Sequence, residues 1–118
     1  MDELYKAVFH LDLNLEERLE LTLANIQNLF KAIPPRQCDI SVVANGNAVN
    51  LFRKDAEPSR LRSIHELNVR GVCFKLCANA LASQQLKKEE LLDDCQIVLA
   101  GIVEIINLQP QGFAYIRP

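Results

Sequence analysis

The sequence predicts an α/β domain in which helices cover both faces of a mostly parallel, five-stranded, doubly wound sheet. Short apolar runs alternate along the chain with segments of helical periodicity, and this alternation is typical of βαβ units. Several of these runs are continuously apolar, which indicates strands buried on both faces. At 118 residues, the chain can build one core, so we expect a single three-layer domain over residues 1–118.

The first strand and the first helix follow one another directly. Residues 5–11 (YKAVFHL) form a β-prone apolar run that predicts a strand. Asn14 and Glu17 then form a capping-box-like pair, which predicts a helix start. Apolar side chains recur at spacings of three and four as far as residue 33, just before Pro34, so we expect an amphipathic helix that ends there.

A second strand is predicted at residues 39–44 (DISVVA), where apolar and β-branched residues dominate. The Asn45-Gly46-Asn47 turn ends this strand and leads into a short helical piece at residues 49–52. The charged residues 53–58 predict a surface loop. The apolar spacing in residues 61–67 predicts another short helix.

The second half of the chain repeats the alternation in shorter pieces. Its strands are predicted at residues 72–76 (VCFKL), 97–100 (IVLA) and 113–116 (FAYI). Small residues at positions 77–82 predict a helix directly after the third strand, and residues 88–92 add a helical turn. Gly101 opens the last predicted helix, which extends to residue 108.

Composition and charge exclude several classes of function. The net charge is -2 and the pI is near 5.7, and no basic stripe interleaved with aromatic residues is present, so we expect no nucleic-acid partner. The first four residues (MDEL) lack the basic and apolar regions of a secretory signal. The longest apolar run, residues 97–103, is too short to cross a bilayer. We therefore expect a cytoplasmic protein with no membrane partner.

Four cysteines are present, and a cytoplasmic compartment keeps such thiols reduced. Cys38, Cys73 and Cys95 lie at or beside apolar stretches, where a free cysteine usually behaves as a small buried hydrophobe. Within one strand, Cys73 and Cys77 would lie roughly 13 Å apart, beyond the reach of a disulfide. No closely spaced second pair of Cys or His is present, so neither a metal site nor a cofactor is expected.

Cys77 is distinguished by its predicted position between the third strand and the following helix. Free backbone N–H groups at a helix N-terminus favour the thiolate, which is the nucleophilic form of cysteine. The small neighbours Ala78 and Ala80 would leave the sulfur approachable. The alternative is that Cys77 is one more buried apolar residue, and the sequence leaves both interpretations open.

His10 is the second candidate catalytic residue. It lies near the end of the first strand and would approach Cys77 if the first and third strands were neighbours, as in the flavodoxin-like order. An imidazole there could act as a base or stabilise a thiolate, although a lone histidine in an apolar strand is more often a satisfied core residue. His65 is most simply a surface residue.

The other candidate residues follow from the position of ligand sites in such folds, beyond the carboxyl ends of the strands. Glu104 is either a site carboxylate or a side chain that complements the helix dipole. The Asn45-Gly46 turn could cradle an anion with its backbone, but a plain turn is the simpler interpretation, since no phosphate-binding glycine motif is present. The complete predicted pocket consists of Asp12, Asn45, Gly46, Asn79, Gly101 and Glu104.

The chain resembles the DsrE-like family of sulfur-relay proteins, and more closely its small, single-domain branch. The resemblance spans nearly the whole chain and depends on the order of six segments: KAVFHLD, LANIQNLF, SVVANGNAV, LNVRGVCFKLCANAL, VLAGIVEI and QPQGFAYIRP. It implies a doubly wound α/β fold and a homo-oligomer, often built on trimers. It also implies a persulfide-carrying cysteine in the GVCFKLCANAL segment, which is Cys77 here.

Two functions follow as hypotheses. In the first, Cys77 accepts a sulfane sulfur as a persulfide and passes it to a partner thiol, with His10 tuning the thiol and with donor and acceptor proteins as partners. In the second, the protein is a non-catalytic oligomeric module that binds a small molecule or a protein, and Cys77 only packs. A flavodoxin-like nucleotide binder is a third possibility, which the missing phosphate-binding motifs disfavour.

Overall fold

A computed structural model describes residues 4–118 of the chain, so the first three residues of the MDEL start lie outside the described part. The described residues form one five-stranded sheet in which every strand pair is parallel, with the spatial order β4-β3-β2-β1-β5. Its strands are β1 Tyr5–Leu11, β2 Cys38–Ala44, β3 Cys73–Cys77, β4 Cys95–Val98 and β5 Ala114–Ile116. The predicted α/β fold is confirmed.

Four α-helices connect these strands, together with short 3₁₀ helices. The α-helices in the described chain are α1 Glu16–Ala32, α2 Pro58–Val69, α3 Ala78–Ser83 and α4 Gly101–Leu108. The 3₁₀ helices are Pro35–Gln37, Gly46–Phe52, Lys88–Glu90 and Gln109–Gln111. No helix among residues 4–118 is both long enough and apolar enough to cross a membrane.

The predicted capping box at the start of α1 does not form. Leu15 occupies the N-cap position, and no side chain caps the helix. The backbone N–H of Asn14 donates instead to Oδ1 of Asn47, at 2.8 Å, in the turn after β2. The contact with Asn47 therefore positions the chain before α1. A local capping pattern does not reveal a tertiary contact of this kind.

Strand and helix limits differ from the predictions where tertiary pairing decides them. The third strand is shifted by one residue, because Cys77 pairs with Val98 and remains in β3. The fourth strand begins two residues early, at Cys95, which pairs with Phe74. The predicted loop at residues 53–58 ends early, since Pro58 begins α2 and the Glu57 side chain caps that helix by accepting from Ser59 N–H.

Helices α1, α2 and α3 pack on one face of the sheet, and α4 packs on the other. The larger core lies on the first face and includes Phe9 of β1, Ile26 of α1 and Ile64 of α2. The smaller core joins α4 to the opposite face through Val8, Val43, Ile105, Leu108 and Phe113. A three-layer arrangement follows, in which the central strands are covered on both faces.

The strand order does not place β1 beside β3. Strand β2 lies between them, so the flavodoxin-like neighbourhood that would bring His10 next to Cys77 is absent. The order instead reverses between β1 and β5, because the chain crosses from β4 at one edge to β5 at the other. The crevice at the carboxyl ends of β1 and β5 is therefore the switch point at which ligands bind in folds of this kind.

Candidate functional site

Cys77 lies where a strand ends and two helices begin. It is the last residue of β3 and the N-cap residue of α3. A Cβ built on Gly101, the first residue of α4, would lie 3.4 Å from the Cβ of Cys77. Neither α3 nor α4 has a side chain capping its N-terminus. The backbone N–H groups that open both helices are therefore near the thiol, and such groups favour negative charge.

The sequence left the burial of Cys77 open and indicated buried positions for the other three cysteines, whereas the structure buries Cys77 most deeply. Cys77 is 6% exposed, whereas the other three are partly exposed. The physical reason is position: Cys77 ends a central strand under the start of α4, while Cys95 opens the edge strand β4. Among the described residues all four thiols are free. The burial of Cys77 is the observation that favours a structural role for it.

Two of the remaining thiols have perturbed acidity. Burial raises the pKa of the Cys38 thiol. Burial also raises the pKa of the Cys95 thiol to about 12, and the nearby carboxylate of Asp94 acts in the same direction. Both cysteines are thus held as neutral thiols at physiological pH, and neither is suited to nucleophilic chemistry there.

His10 is buried and fully engaged by two side chains. Its Nε2 lies 2.9 Å from Oδ1 of Asn45, and its Nδ1 lies 2.6 Å from the hydroxyl of Tyr115. An amide oxygen only accepts, so Nε2–H of His10 donates to Asn45. In the neutral ring Nδ1 then accepts from the Tyr115 hydroxyl, which fixes both the tautomer and the ring orientation.

The hydrogen-bonded chain continues through the last residues of the protein. Arg117 bonds to the Tyr115 side chain and to Asp12, with Nη2 of Arg117 2.8 Å from Oδ2 of Asp12. These bonds, first that to Tyr115 and then that to Asp12, raise the pKa of the Arg117 guanidinium. A continuous polar chain from Asp12 to Asn45 therefore occupies the switch point between β1 and β5.

Asn45 connects this polar chain to the surroundings of Cys77. A Cβ on Gly101 would lie 3.2 Å from the Cβ of Asn45 and 3.4 Å from that of Cys77. The two Cβ atoms are thus no further apart than the sum of these distances. His10 therefore meets Asn45 rather than Cys77, and no hydrogen bond joins His10 to Cys77 in the described structure.

Gly46 has a structural role in this turn. Its φ is +56°, in the left-handed region that favours glycine, and a Cβ here would lie 3.1 Å from the backbone oxygen of Asp12. The glycine lets the loop after β2 lie against the loop after β1. It contributes close backbone approach, and no side chain, to the candidate site.

Glu104 pairs with Lys75, a residue that no sequence motif indicated. Nζ of Lys75 donates to Oε2 of Glu104 at 2.6 Å, and the two side chains are only 12% and 24% exposed. Lys75 lies two residues before Cys77 in β3, so both side chains leave the same face of the strand. The alternating pattern of the CFKLC strand is the sequence signal that could have identified it.

The remaining nominated residues lie further from this group. Asn79 is exposed near the start of α3 and forms no side-chain hydrogen bond with other described residues. The side chain of His65 is 66% exposed and lies 2.7 Å from Asp94, which agrees with a surface position. Sequence reasoning missed Tyr115 and Arg117, because their relevance depends on β5 lying beside β1.

A separate cavity of about 500 Å³ lies on the α1 face, between that helix, β1 and β5. Its lining is largely apolar and includes Phe9, Leu29 and Ile40, with the amides of Asn25 and Asn28. Neither Cys77 nor His10 lines it. Within residues 4–118 no group of three or more His, Cys, Asp or Glu side chains is arranged to hold a metal ion.

Comparison with known proteins adds family information. The family model of the DsrE/DsrF-like family matches residues 6–118. The chain is similar to a solved protein of unknown function, MTH1491 from Methanobacterium thermoautotrophicum, with 36% identity and a TM-score of 0.87, over 97% of this chain and 99% of the other. It shares its fold with the ychN protein from E. coli, at 17% identity and a TM-score of 0.81, over 100% of both chains. No curated protein matches.

Proposed function

Because the chain belongs to the DsrE/DsrF-like family, we propose that it is a sulfur-relay protein in which Cys77 carries persulfide sulfur. The observation that carries the proposal is the position of Cys77 at the carboxyl end of a parallel strand, against the starts of α3 and α4. Ligand sites in α/β sheets lie at that edge, and helix starts favour an anionic sulfur.

The transfer consists of two thiol exchanges. In the first, the Cys77 thiolate attacks the outer sulfur of a donor persulfide; the new Cys77 S–S bond forms, the donor's S–S bond breaks, and the electron pair leaves with the donor thiolate. In the second, an acceptor thiolate attacks the outer sulfur on Cys77 and regenerates the Cys77 thiolate. Each bond formed replaces a bond broken, so no external oxidant or reductant is needed.

The charges around Cys77 suit a group that alternates between neutral and anionic forms. Lys75 and Glu104 lie on the same side of the sheet and largely cancel one another, at 2.6 Å. The backbone N–H groups at the starts of α3 and α4 have no side-chain cap, and their dipoles favour negative charge near the sulfur. The thiols of Cys38 and Cys95, whose pKa values are raised, lie at the starts of strands and lack this environment.

The low exposure of Cys77 has a kinetic consequence. At 6% exposure, the sulfur meets a partner's persulfide only when the start of α4 or the loop after β2 shifts. A relay of this kind reacts slowly with small thiol reagents and faster with a partner that binds this edge. Donor and acceptor proteins are therefore the partners in the proposal, in a reducing cytoplasmic setting.

Intact-mass spectrometry after incubation with a persulfide donor tests the proposal. We expect a gain of one sulfur atom, located on Cys77, which is lost on incubation with an acceptor thiol. Cys77→Ser should abolish the gain, whereas Cys73→Ser, four residues away in the same strand, should retain it. A sulfur found on Cys73 or on no cysteine at all would contradict the proposal.

We also propose a homo-oligomer, built on trimers, that uses the outer side of α4. Exposed apolar side chains crowd this side, although α4 is a surface helix. They are Leu99 just before it, at 88% exposure, and Ile102, Val103 and Ile106 within it, each more than half exposed. A contiguous apolar surface of this kind is typical of a protein–protein interface.

The second candidate function is a non-catalytic binding module. It is favoured by the burial of Cys77 and by the apolar cavity beside α1, whose asparagine amides could orient a small molecule. Alkylation kinetics distinguish the two functions. Labelling of Cys77 only under denaturing conditions supports the module, whereas native labelling that a persulfide donor blocks supports the relay.

A further inference from the structure

Asn45 stands between His10 and Cys77 at the carboxyl edge of the sheet. The register of β2 against β3 pairs Ala44 with Leu76, so Asn45 follows at the level of Cys77. Its backbone N–H donates to the carbonyl of Leu11, at 3.0 Å, and this bond extends the ladder with β1. The carbonyl of Asn45 accepts from Ala48 N–H at 3.2 Å. The backbone of Asn45 is thus held by β1 and by the turn that follows, and the orientation of its side chain depends on side-chain contacts.

The hydrogen bond from His10 fixes the orientation of the Asn45 side chain. Because Nε2–H of His10 donates to Oδ1 of Asn45 at 2.9 Å, the amide oxygen is turned toward β1. The amide NH₂ group is on the other branch of the side chain and carries two donors. It has no hydrogen-bond partner among residues 4–118. A donor group without an acceptor is thus left on a side chain whose Cβ shares with the Cβ of Cys77 a close approach to Gly101.

The orientation of His10 is itself braced from β5. The Tyr115 hydroxyl holds Nδ1 at 2.6 Å, and Arg117 ties Tyr115 to Asp12. A two-sided hydrogen-bonded histidine cannot rotate without breaking both bonds. The amide of Asn45 therefore has a preset direction, which is the condition under which a donor stabilises a developing charge most effectively.

We propose that the Asn45 amide is a catalytic hydrogen-bond donor to the anionic sulfur of Cys77, and that His10 is the positioning residue that aims it. This inference rests on the proposed relay function and adds to it the group that stabilises the charged sulfur. The separation of the Asn45 and Cys77 Cβ atoms is bounded by their contacts with Gly101. No N–H···S bond joins the two side chains in the described structure, and this separation lets one form when the sulfur becomes anionic.

The hydrogen bond matters most in the second transfer step, in which the Cys77 sulfur is the leaving group. When the acceptor thiolate takes the outer sulfur, the Cys77 sulfur regains a negative charge in a buried place. At 6% exposure water solvates this charge poorly, so a fixed donor replaces part of the lost hydration. The same amide would also stabilise the Cys77 thiolate before the next persulfide donor binds.

Other titratable groups near Cys77 must be considered in a test based on pH. Lys75 of β3 and Glu104 of α4 form the close ion pair described above. His10 and Tyr115 reach the site only through Asn45. A change confined to the Asn45 side chain leaves all four of these groups in place, so its effect on Cys77 can be separated from theirs.

The test is the rate of Cys77 alkylation by iodoacetamide between pH 6 and pH 10, followed by peptide mass spectrometry. Asn45→Asp keeps the shape of the side chain but replaces the donors with a negative charge. We expect the pH midpoint of the rate to rise by about one unit, that is, about tenfold less reactive thiolate at a given pH below it. The matched control is Asn47→Asp, which adds the same charge two residues away.

In the Asn47→Asp control, Oδ1 of residue 47 remains available to accept from Asn14 N–H, as in the native turn. We expect the pH midpoint of alkylation to shift by less than about a third of a unit, because the added charge is exposed and screened. Equal shifts in Asn45→Asp and Asn47→Asp would overturn the inference, since they would reflect net charge alone. No shift in either variant would overturn it as well.

A pair of substitutions at His10 tests the positioning role and does not depend on Asn45→Asp folding. His10→Gln places an NH₂ donor where Nε2–H stood and should retain the native midpoint, whereas His10→Leu should raise it. A loss of folding stability common to both variants would not reproduce this difference. Identical profiles for Gln and Leu would remove His10 from the mechanism and contradict the proposal.

The result is separable from that of the relay proposal. If Cys77 never gains a persulfide but the Asn45→Asp midpoint still shifts, the relay fails and the interaction between Asn45 and Cys77 stands. If Cys77 carries the persulfide in every variant with an unchanged pH profile, the relay stands and this inference fails.

Discussion

Gly101 and Cys77 are in such close contact that α4 begins directly on the thiol-bearing residue. A Cβ added to Gly101 would lie 3.4 Å from the Cβ of Cys77, and it would also approach a methyl group of Val43 to 3.3 Å. The first distance lies at the short limit of ordinary contacts, and the second is shorter than nine in ten real Cβ contacts. The absence of a side chain at residue 101 therefore lets the start of α4 rest on the strand ends without displacing its neighbours.

Gly101→Ala should destabilise the protein by about 1 kcal/mol. Alanine favours a helix over glycine by about 0.5–1 kcal/mol, but crowding a packed site costs about 1–3 kcal/mol, so crowding decides the sign. Gly101 does not have a positive φ, so backbone strain plays no part. Urea denaturation followed by circular dichroism measures the difference.

A double-mutant cycle with Val43→Ala shows whether crowding is the cause. Val43 is fully buried, so its truncation alone leaves a cavity that costs about 1–3 kcal/mol. An added methyl at residue 101 should fill part of that space. We expect the double variant to be more stable than the sum of the single effects predicts, and strict additivity would exclude the Val43 contact as the cause.

The ion pair between Lys75 and Glu104 supplies a second prediction. Its side chains are 12% and 24% exposed and meet at 2.6 Å, so removing one partner leaves the other charge poorly solvated. Glu104→Gln should lower the free energy of unfolding by about 1–3 kcal/mol. The double variant Lys75→Met/Glu104→Gln should recover part of that loss, because no unpaired charge remains.

If Glu104→Gln and the double variant were equally unstable, the electrostatic explanation would be wrong, and packing of the longer side chains would be responsible. Lys54 and Asp93 form an exposed ion pair for comparison. Their side chains are 50% and 96% exposed, and Nζ of Lys54 lies 3.9 Å from Oδ1 of Asp93. Asp93→Asn should change stability by less than about 0.5 kcal/mol, as exposed pairs usually do.

Local patterns predicted most of the fold. The apolar run at residues 5–11 matches β1 Tyr5–Leu11 in both limits, and the helix predicted from Gly101 to residue 108 matches α4. Continuous apolar strands indicated a covered parallel sheet, because a strand buried on both faces has no polar side. Errors occurred at ends such as Asn14, where a contact with Asn47 replaces the expected cap.

The site was predicted less well, because its geometry depends on strand order. Alternation identifies strands but does not say which pairs with which, so the position of β2 between His10 and Cys77 could not be derived. Tyr115 was missed for the same reason, because it can bond to His10 only if β5 pairs with β1. The sequence left the burial of Cys77 open for a related reason, since its cover is the start of α4, 24 positions further along the chain.

The apolar outer side of α4 leads to a third prediction, on assembly. Val103→Glu should weaken self-association at least about tenfold, because a charge would be buried without a partner at the proposed interface. Glutamate in the first turn of a helix complements the helix dipole, so the monomer should stay folded. Analytical ultracentrifugation over a range of concentrations measures the effect.

Val69 on α2 supplies the matched control. It is 71% exposed, compared with 52% for Val103, so Val69→Glu introduces the same change on a different surface. We expect it to leave the association unchanged. Equal weakening in both variants would show that net charge, and not the α4 surface, controls assembly.

The raised pKa of Cys95 leads to the last prediction, on stability at alkaline pH. Burial, with the Asp94 carboxylate, raises the pKa of this thiol to about 12. The pKa of a cysteine thiol in an unfolded chain is about 8.5. Between these two values the unfolded chain binds fewer protons than the folded chain. The free energy of unfolding therefore falls as the pH rises through this window, and this contribution is fully present only below it.

Replacement of Cys95 by alanine should reduce that slope between pH 9 and pH 11, and the difference from the parent protein isolates Cys95 from the lysines and tyrosines that titrate nearby. Asp94→Asn keeps the burial but removes the adjacent charge, so its slope should lie between the two. An Asp94→Asn slope equal to that of the parent would leave burial as the whole cause, and an unchanged slope in Cys95→Ala would show that Cys95 ionises as readily folded as unfolded.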